Sequence, residues 1–280
     1  MSRELNFSVN GYHIAAVEYG SPDGFPVLAL HGWLDNAASF TALGSALSGI
    51  RLISLDLVGH GHSDHRPSVM PYHIWDNVTD LDGVIQLLGL KKVSLLGHSM
   101  GASIAMLYAG AFPDRVEKLC LIEGLAPLTY SSNDLPDLFA GALRKRHKMA
   151  SRKNRSYDSF DAAVEARMNG RWPLERKNAE LLLKRGTLSE AGGVQWRYDP
   201  RLLMPSLVRF DEEQVKAFIR AVRAETFLIT GSDGGASQLV DGWSDELRQV
   251  SHSRFQGGHH LHMNDPVANE IADIINKWAV

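Results

Sequence analysis

Ser99 stands between two glycines in Gly97-His98-Ser99-Met100-Gly101. The apolar run Val93-Ser94-Leu95-Leu96 before it reads as a short buried strand, and the small and apolar residues from Ala102 to Ala111 read as a helix. A serine at such a sharp turn presents its hydroxyl, and the free N–H groups that open the following helix favour negative charge beside it. The flanking glycines meet a steric need, because a side chain at either one would collide with the neighbouring strand or helix. These are the requirements of a nucleophile whose intermediate is an anion.

A serine hydroxyl is a weak nucleophile near neutral pH, so it needs a base to take its proton and a third group to hold that base in one tautomer. His259 is the candidate base. It lies after the last predicted strand in Gly257-Gly258-His259-His260-Leu261-His262, where the glycine pair lets the loop reach back toward Ser99. His260 and His262 compete with it by proximity alone. Three clustered histidines can also hold a metal, but no carboxylate or histidine at helical i+4 spacing accompanies them, and no metal is expected. A developing oxyanion needs preorganised donors, and by position these are the backbone N–H groups of Met100, after the serine, and of Trp33, after His31-Gly32. Asp35 and Asn36 either brace that loop or belong to a surface turn.

The positioning elements follow from the pattern of the chain. Residues 4–19 alternate around Asn10-Gly11, a two-residue hairpin signal. Residues 26–30 and 51–57 are apolar without alternation, as strands covered on both faces should be. Helices are expected over 39–48 and 72–89. The run Asp56 to Asp64, rich in glycine and histidine, reads as turn structure beside the site. Strands at 116–122, 226–230 and 252–255, with helices at 241–249 and 265–279, complete an alternation that implies βαβ units and a mainly parallel sheet. About a hundred residues separate the strands at 122 and 226, far more than an ordinary connection. Their periodic segments, 135–150, 158–169 and 175–185, predict a helical cap. The expected division is 1–125 and 211–280 as core and 126–210 as cap.

In this order, the serine turn, the upstream His-Gly turn, Asp56-Leu57-Val58-Gly59-His60-Gly61-His62-Ser63-Asp64 and the late histidine loop resemble the α/β-hydrolase superfamily along nearly the whole chain. The likeness extends to the serine hydrolase-like family in His31-Gly32-Trp33-Leu34-Asp35-Asn36 and in Glu180-Leu181-Leu182-Leu183-Lys184-Arg185-Gly186-Thr187. The resemblance implies an α/β-hydrolase fold, with helices on both faces of the sheet, and a serine nucleophile at an elbow. It also implies two places for the acid. One is the turn after the strand that follows the elbow helix, where Glu123 stands in a position similar to the acid of haloalkane dehalogenases. The other follows the next strand, where the family pattern is glycine with aspartate three residues later. Here Gly231 is followed three residues on by Gly234, and Asp233 is one position short. A glutamate among apolar residues at a strand's end is a costly charge unless an imidazolium or an arginine pairs with it, which favours Glu123 and leaves Asp233 as the alternative.

With serine as nucleophile, dehalogenase and epoxide hydrolase chemistries are disfavoured. The expected activity is hydrolysis of small to medium carboxylic esters through an acyl-enzyme, without metal or organic cofactor. The alternatives are a cofactor-independent haloperoxidase or carbon–carbon bond hydrolase on the same residues, and a binding protein that kept the fold without catalysis.

Composition adds bounds. With 44% hydrophobic residues, 22% charged and a net charge of -3, the chain reads as one soluble globular protein. A single cysteine, Cys120 inside an apolar run, rules out a disulfide framework and points to the cytoplasm. No stretch is long and apolar enough for a membrane span. From Gly141 to Gly186, 13 basic residues face 5 acidic ones, so this part of the cap carries +8 and the remainder -11. That reads as a solvated helical face with i,i+4 pairs, or as a region attracting anionic substrates; no nucleic-acid motif accompanies it. Trp172 and Trp196, with Trp33 and Met100, are candidates to line a substrate pocket. Asp199-Pro200-Arg201 reads as a hinge in which Arg201 pairs with an acid.

Overall fold

A computed structural model describes residues 2–68, 70–149, 152–190, 192–236, 240 and 242–279. Strands β1 (Ser2–Val9) and β2 (Tyr12–Gly20) form a hairpin closed by Val9 opposite Tyr12. Asn10 and Gly11 both take positive φ, 52° and 82°, as a two-residue turn between right-twisted strands requires. β2 pairs antiparallel with β4 (Ile50–Leu55), and from there the sheet is parallel. β3 (Phe25–Leu30), β5 (Val93–His98), β6 (Val116–Ile122), β10 (Glu225–Gly231) and β11 (Val250–Phe255) complete the order β1-β2-β4-β3-β5-β6-β10-β11.

Two layers of helix cover this sheet. On one face α2 (Asp76–Leu87), α3 (Met100–Ala111) and α7 (Glu212–Ala221) bury Leu81, Val84, Ile104, Tyr108, Val215 and Ile219 against the strands. On the other, α1 (Thr41–Ala46) and α8 (Val267–Asn276) bury Leu43, Ile271 and Ile275. Nearly all of α3 is buried, which explains its small and apolar sequence: it packs against β3, β5, β6 and α7. Of the predicted helix at 241–249, Asp241 lies outside the described residues, and the rest holds only a 3₁₀ turn at Ser244–Glu246. Cys120 is fully buried in β6.

Between β6 and β10 the chain leaves the sheet. It forms α4 (Leu135–Met149), α5 (Phe160–Met168) and α6 (Arg176–Gly186), together with an antiparallel sheet in the order β7-β9-β8, from β7 (Ser156–Tyr157), β8 (Thr187–Glu190) and β9 (Gly193–Trp196). The three helices expected in the insertion are present, and the short strands beside them could not be read in sequence, because runs of two to four residues are too short to show alternation. Ala163, Val164, Leu182, Leu183 and Trp196 share an apolar cluster with Met263 of the sheet domain. A second tie is ionic. Arg185 of α6 donates through Nε to buried Asp56 (2.8 Å) and through Nη1 to Glu4 (2.6 Å), while Asp56 also accepts from the N–H groups of Ala37 and His62. The run after Asp56 therefore serves as turn structure. Arg201 pairs with Asp199 in the same short segment, and Tyr72 donates to that aspartate at 2.8 Å.

α4 stands apart. Only Ala142 and Met149 of its described side chains are buried, and Arg146 is spent on the carbonyl of Pro205. Arg144, Lys145, Lys148, Lys153 and Arg155 take part in no ion pair among the described residues. The basic stretch is thus an unpaired, solvated face. No described helix is long and apolar enough to cross a membrane.

Candidate active site

Ser99 sits between β5 and α3 with φ 53° and ψ -113°, a strained conformation for a residue with a side chain. Close approach forces the glycines around it. A Cβ on Gly97 would lie 2.5 Å from Cα of Ala102, and one on Gly101 would lie 1.9 Å from the carbonyl oxygen of Leu30. The Ser99 N–H donates to the Ile122 carbonyl at 2.9 Å, and the Glu123 N–H to the Ile229 carbonyl at 2.8 Å. These bonds pin the ends of β5, β6 and β10 side by side, so residues distant in sequence converge at the carboxyl edge of the sheet.

His259 bridges two of them. Its Nε2 is 2.9 Å from Ser99 Oγ, and its Nδ1 is 3.0 Å from Glu123 Oε2. A carboxylate oxygen accepts, so Nδ1 carries the proton and Nε2 turns its lone pair toward the serine hydroxyl. The other oxygen of Glu123 accepts from the Gly231 N–H at 2.7 Å, and the side chain is fully buried.

Asp233 lies elsewhere. It is exposed in the turn after β10, 3.4 Å from Gln256 Nε2. Gly234 explains why the acid is not found in this loop: a Cβ there would fall 2.1 Å from Glu123 Oε2. The space that an aspartate at 234 would fill is occupied by the glutamate from the neighbouring strand.

The N–H groups of Met100 and Trp33 donate to no protein acceptor among the described residues. Both are therefore free for a ligand oxygen. The loop carrying Trp33 is held by His31, whose Nδ1–H donates to the Gly32 carbonyl at 2.8 Å while its Nε2 accepts from Leu57 N–H at 3.0 Å. The Trp33 side chain is half exposed, with Nε1 donating to the Leu202 carbonyl.

The two other tryptophans separate. Trp172, from the segment after α5, stacks on the His259 imidazole with ring centroids 4.3 Å apart and planes 23° apart. Trp196 belongs to the cap's own cluster, edge-on to Tyr157 with Nε1 reaching the Tyr157 hydroxyl at 3.3 Å. It also lines a small cavity with Leu34, Asp35, Arg167 and Tyr198, between the Trp33 loop and the cap.

Sequence reading missed a second ionic group behind His259. Asp35 is buried, accepting from Arg167 Nη2 on one oxygen (2.8 Å) and from His260 Nε2 on the other (2.9 Å). Burial opposes its charge, yet His260 and Arg167 together hold the carboxyl well below the usual carboxylate range. His98 Nε2–H donates to the carbonyl of His259 at 2.8 Å, and burial holds this imidazole neutral. Asp35, His98 and His260 could by spacing receive a metal, their ligand atoms lying within 4.8 Å of one another. The guanidinium already on Asp35 opposes a second cation there, and the trio is better described as an ion-paired network. No local motif marks Arg167 among the cap's many cations, so only the tertiary contact reveals it.

Four histidines are buried in the neutral form around this site. Burial pushes His31 down to about 4, and His60 and His262 to about 3, with His98 also lowered. An unfolded histidine titrates near 6.5, so below that pH the unfolded chain binds more protons than the folded one and stability falls with acidification. The loss should begin near pH 6.5 and continue to about pH 3, up to about 2 kcal/mol per histidine at pH 5. Denaturant unfolding should thus show a clearly lower midpoint at pH 5 than at pH 7.5; equal midpoints would contradict the neutral burial of these rings.

The comparisons with known proteins agree with this architecture. Residues 26–178 match the family profile of the alpha/beta hydrolase fold. Over 296 residues the chain is 30% identical to serine hydrolase-like protein 2 of Homo sapiens, spanning 98% of this chain and 93% of that one. A serine hydrolase-like protein of Dictyostelium discoideum is 30% identical over 275 residues, 92% of this chain and 76% of that one. Among solved structures, a hypothetical protein from Pseudomonas aeruginosa PAO1 is 38% identical, with a TM-score of 0.94 over 98% of both chains. A thioesterase domain from the curacin biosynthetic pathway is 25% identical, with a TM-score of 0.84 over 98% of this chain and 99% of that one. The protein therefore belongs to the α/β-hydrolase superfamily, close to the serine hydrolase-like proteins.

Proposed function

We propose that the protein is a serine hydrolase that cleaves carboxylic esters of small to medium size through an acyl-enzyme, with residues 126–210 as a cap over a core of 1–125 and 211–280. The observation that carries this reading is the placement of His259 between Ser99 Oγ at 2.9 Å and Glu123 Oε2 at 3.0 Å. Ser99 gives its proton to His259 Nε2 as its oxygen bonds to the ester carbonyl carbon. The carbonyl π electrons move to oxygen, where the N–H groups of Met100 and Trp33 receive the charge. The imidazolium, held by Glu123, then protonates the departing alkoxide. Water enters, loses its proton to His259, and releases the acid by the same steps in reverse.

Likeness to a thioesterase domain supports acyl transfer to water as the reaction class. No cofactor is needed for it, and the lone buried Cys120 supports a cytoplasmic setting. The test is turnover of p-nitrophenyl acetate and longer acyl esters by the purified chain. Hydrolysis with a maximum at short or medium acyl length is expected, whereas no turnover of any ester would remove the reading.

The unpaired cations of α4 and the segment after it belong to the same proposal, as an electrostatic guide for anionic substrates. For an ester with a carboxylate in its acyl chain, kcat/KM should fall several-fold between 20 and 500 mM salt. A neutral ester of equal size should change little. Equal salt responses would eliminate steering.

A further inference from the structure

Arg167, at the end of α5, touches three parts of the molecule that the reaction must hold in register. Its Nη2 donates to Asp35 Oδ1 at 2.8 Å and lies 3.4 Å from His260 Nε2, and its Nη1 donates to the carbonyl of Trp172 at 3.2 Å. Asp35 belongs to the loop whose Trp33 N–H is free, since the Asp35 N–H closes a turn onto the Gly32 carbonyl. His260 is the chain neighbour of His259, and its Nε2 is bound to the second oxygen of Asp35. Trp172 lies flat on the His259 ring. One guanidinium thus fastens the donor loop and the tryptophan that covers the imidazole, and through Asp35 it holds the histidine loop.

We propose that Arg167 is a positioning residue through which the cap aligns His259 and the Trp33 loop, so that the site is complete only when the cap is seated. This rests on Ser99 and His259 being the reacting pair. Geometry explains why the residue is arginine. Two different nitrogens of one planar group serve acceptors on two segments, which the single ammonium of lysine cannot do from a fixed point. The indole face also favours the imidazolium that forms when Ser99 gives up its proton. Releasing the Trp172 carbonyl would therefore weaken the state in which the bond to carbon forms more than substrate binding.

The experiment compares wild type, Arg167→Ala and Arg167→Lys on p-nitrophenyl acetate, with Ser99→Ala alongside. Misplacement of reacting groups by about 1 Å costs on the order of 10² in rate, so kcat should fall by about that factor in both Arg167 variants, with KM changed less than about threefold. Fluorophosphonate labelling of Ser99 should slow in parallel. Added guanidinium ion, below denaturing concentration, should restore much of the loss in Arg167→Ala and none in Ser99→Ala. The proposal is overturned if Arg167→Ala keeps wild-type kcat, or if its loss is not restored by guanidinium, which would mark a purely structural role. Undiminished turnover in Ser99→Ala would instead overturn the reaction assigned to the site.

Discussion

Ser99→Ala is expected to abolish fluorophosphonate labelling and to lower kcat on p-nitrophenyl esters by on the order of 10⁶-fold. In the proposed reaction the hydroxyl is the only atom of the site that forms a bond to carbon. With it gone, His259 and the free N–H groups of Met100 and Trp33 can still polarise a carbonyl, which leaves a residual rate above that of water. The substitution should fold well. Among the described residues Ser99 makes no side-chain hydrogen bond other than the contact to His259, and alanine tolerates the same backbone no worse than serine does. Unchanged melting with lost labelling is thus the expected pair of results. If the probe labels Ser99→Ala as fast as wild type, the nucleophile is another residue.

Glu123→Gln should lose on the order of 10⁴-fold in kcat, while Asp233→Asn should stay within about twofold of wild type. The amide keeps the shape of the side chain but offers His259 Nδ1 an N–H as readily as an oxygen, so the imidazole can turn its proton toward Ser99 and lose its function as base. Among the described residues Asp233 has no such partner; its carboxylate meets Gln256 at the surface. A third variant separates electrostatics from sterics. Gly234→Ala leaves every titratable group in place but sets a Cβ 2.1 Å from Glu123 Oε2, so it should lower kcat through displacement of the glutamate alone. Equal losses in Glu123→Gln and Asp233→Asn would show that the acid is not unique to either position.

The position of the candidate nucleophile was legible because its determinants are local. The five residues around Ser99, with an apolar strand before and a small-residue helix after, specify the turn by short-range sterics. The parallel sheet was legible for a related reason, since uninterrupted apolar runs of strand length spaced by helical patterns leave few topologies. The cap's short strands were not. Ser156–Tyr157 and Gly193–Trp196 draw their pairing from each other and from the hairpin with Thr187–Glu190, and none carries a period of its own. Of the helix expected over 241–249, residues 242–249 hold only the short 3₁₀ turn at Ser244–Glu246, although Leu247 is buried and Trp243 packs on the core, so an apolar pattern alone did not separate the two.

By itself the sequence determined a serine elbow and a late histidine loop, each encoded within a dozen consecutive residues, and, from the spacing of its apolar runs, a sheet to carry them and an insertion above them. It left two acids standing, and what separates them is a long-range fact: the parallel register of β6 and β10 brings Gly231 and Gly234 against the Glu123 carboxylate, and only a missing Cβ at 234 makes room for it. The Arg167–Asp35–His260 group and the indole over His259 likewise join residues 132, 225 and 87 positions apart. Contacts of that reach depend on how the layers pack, and packing is decided by the whole core at once.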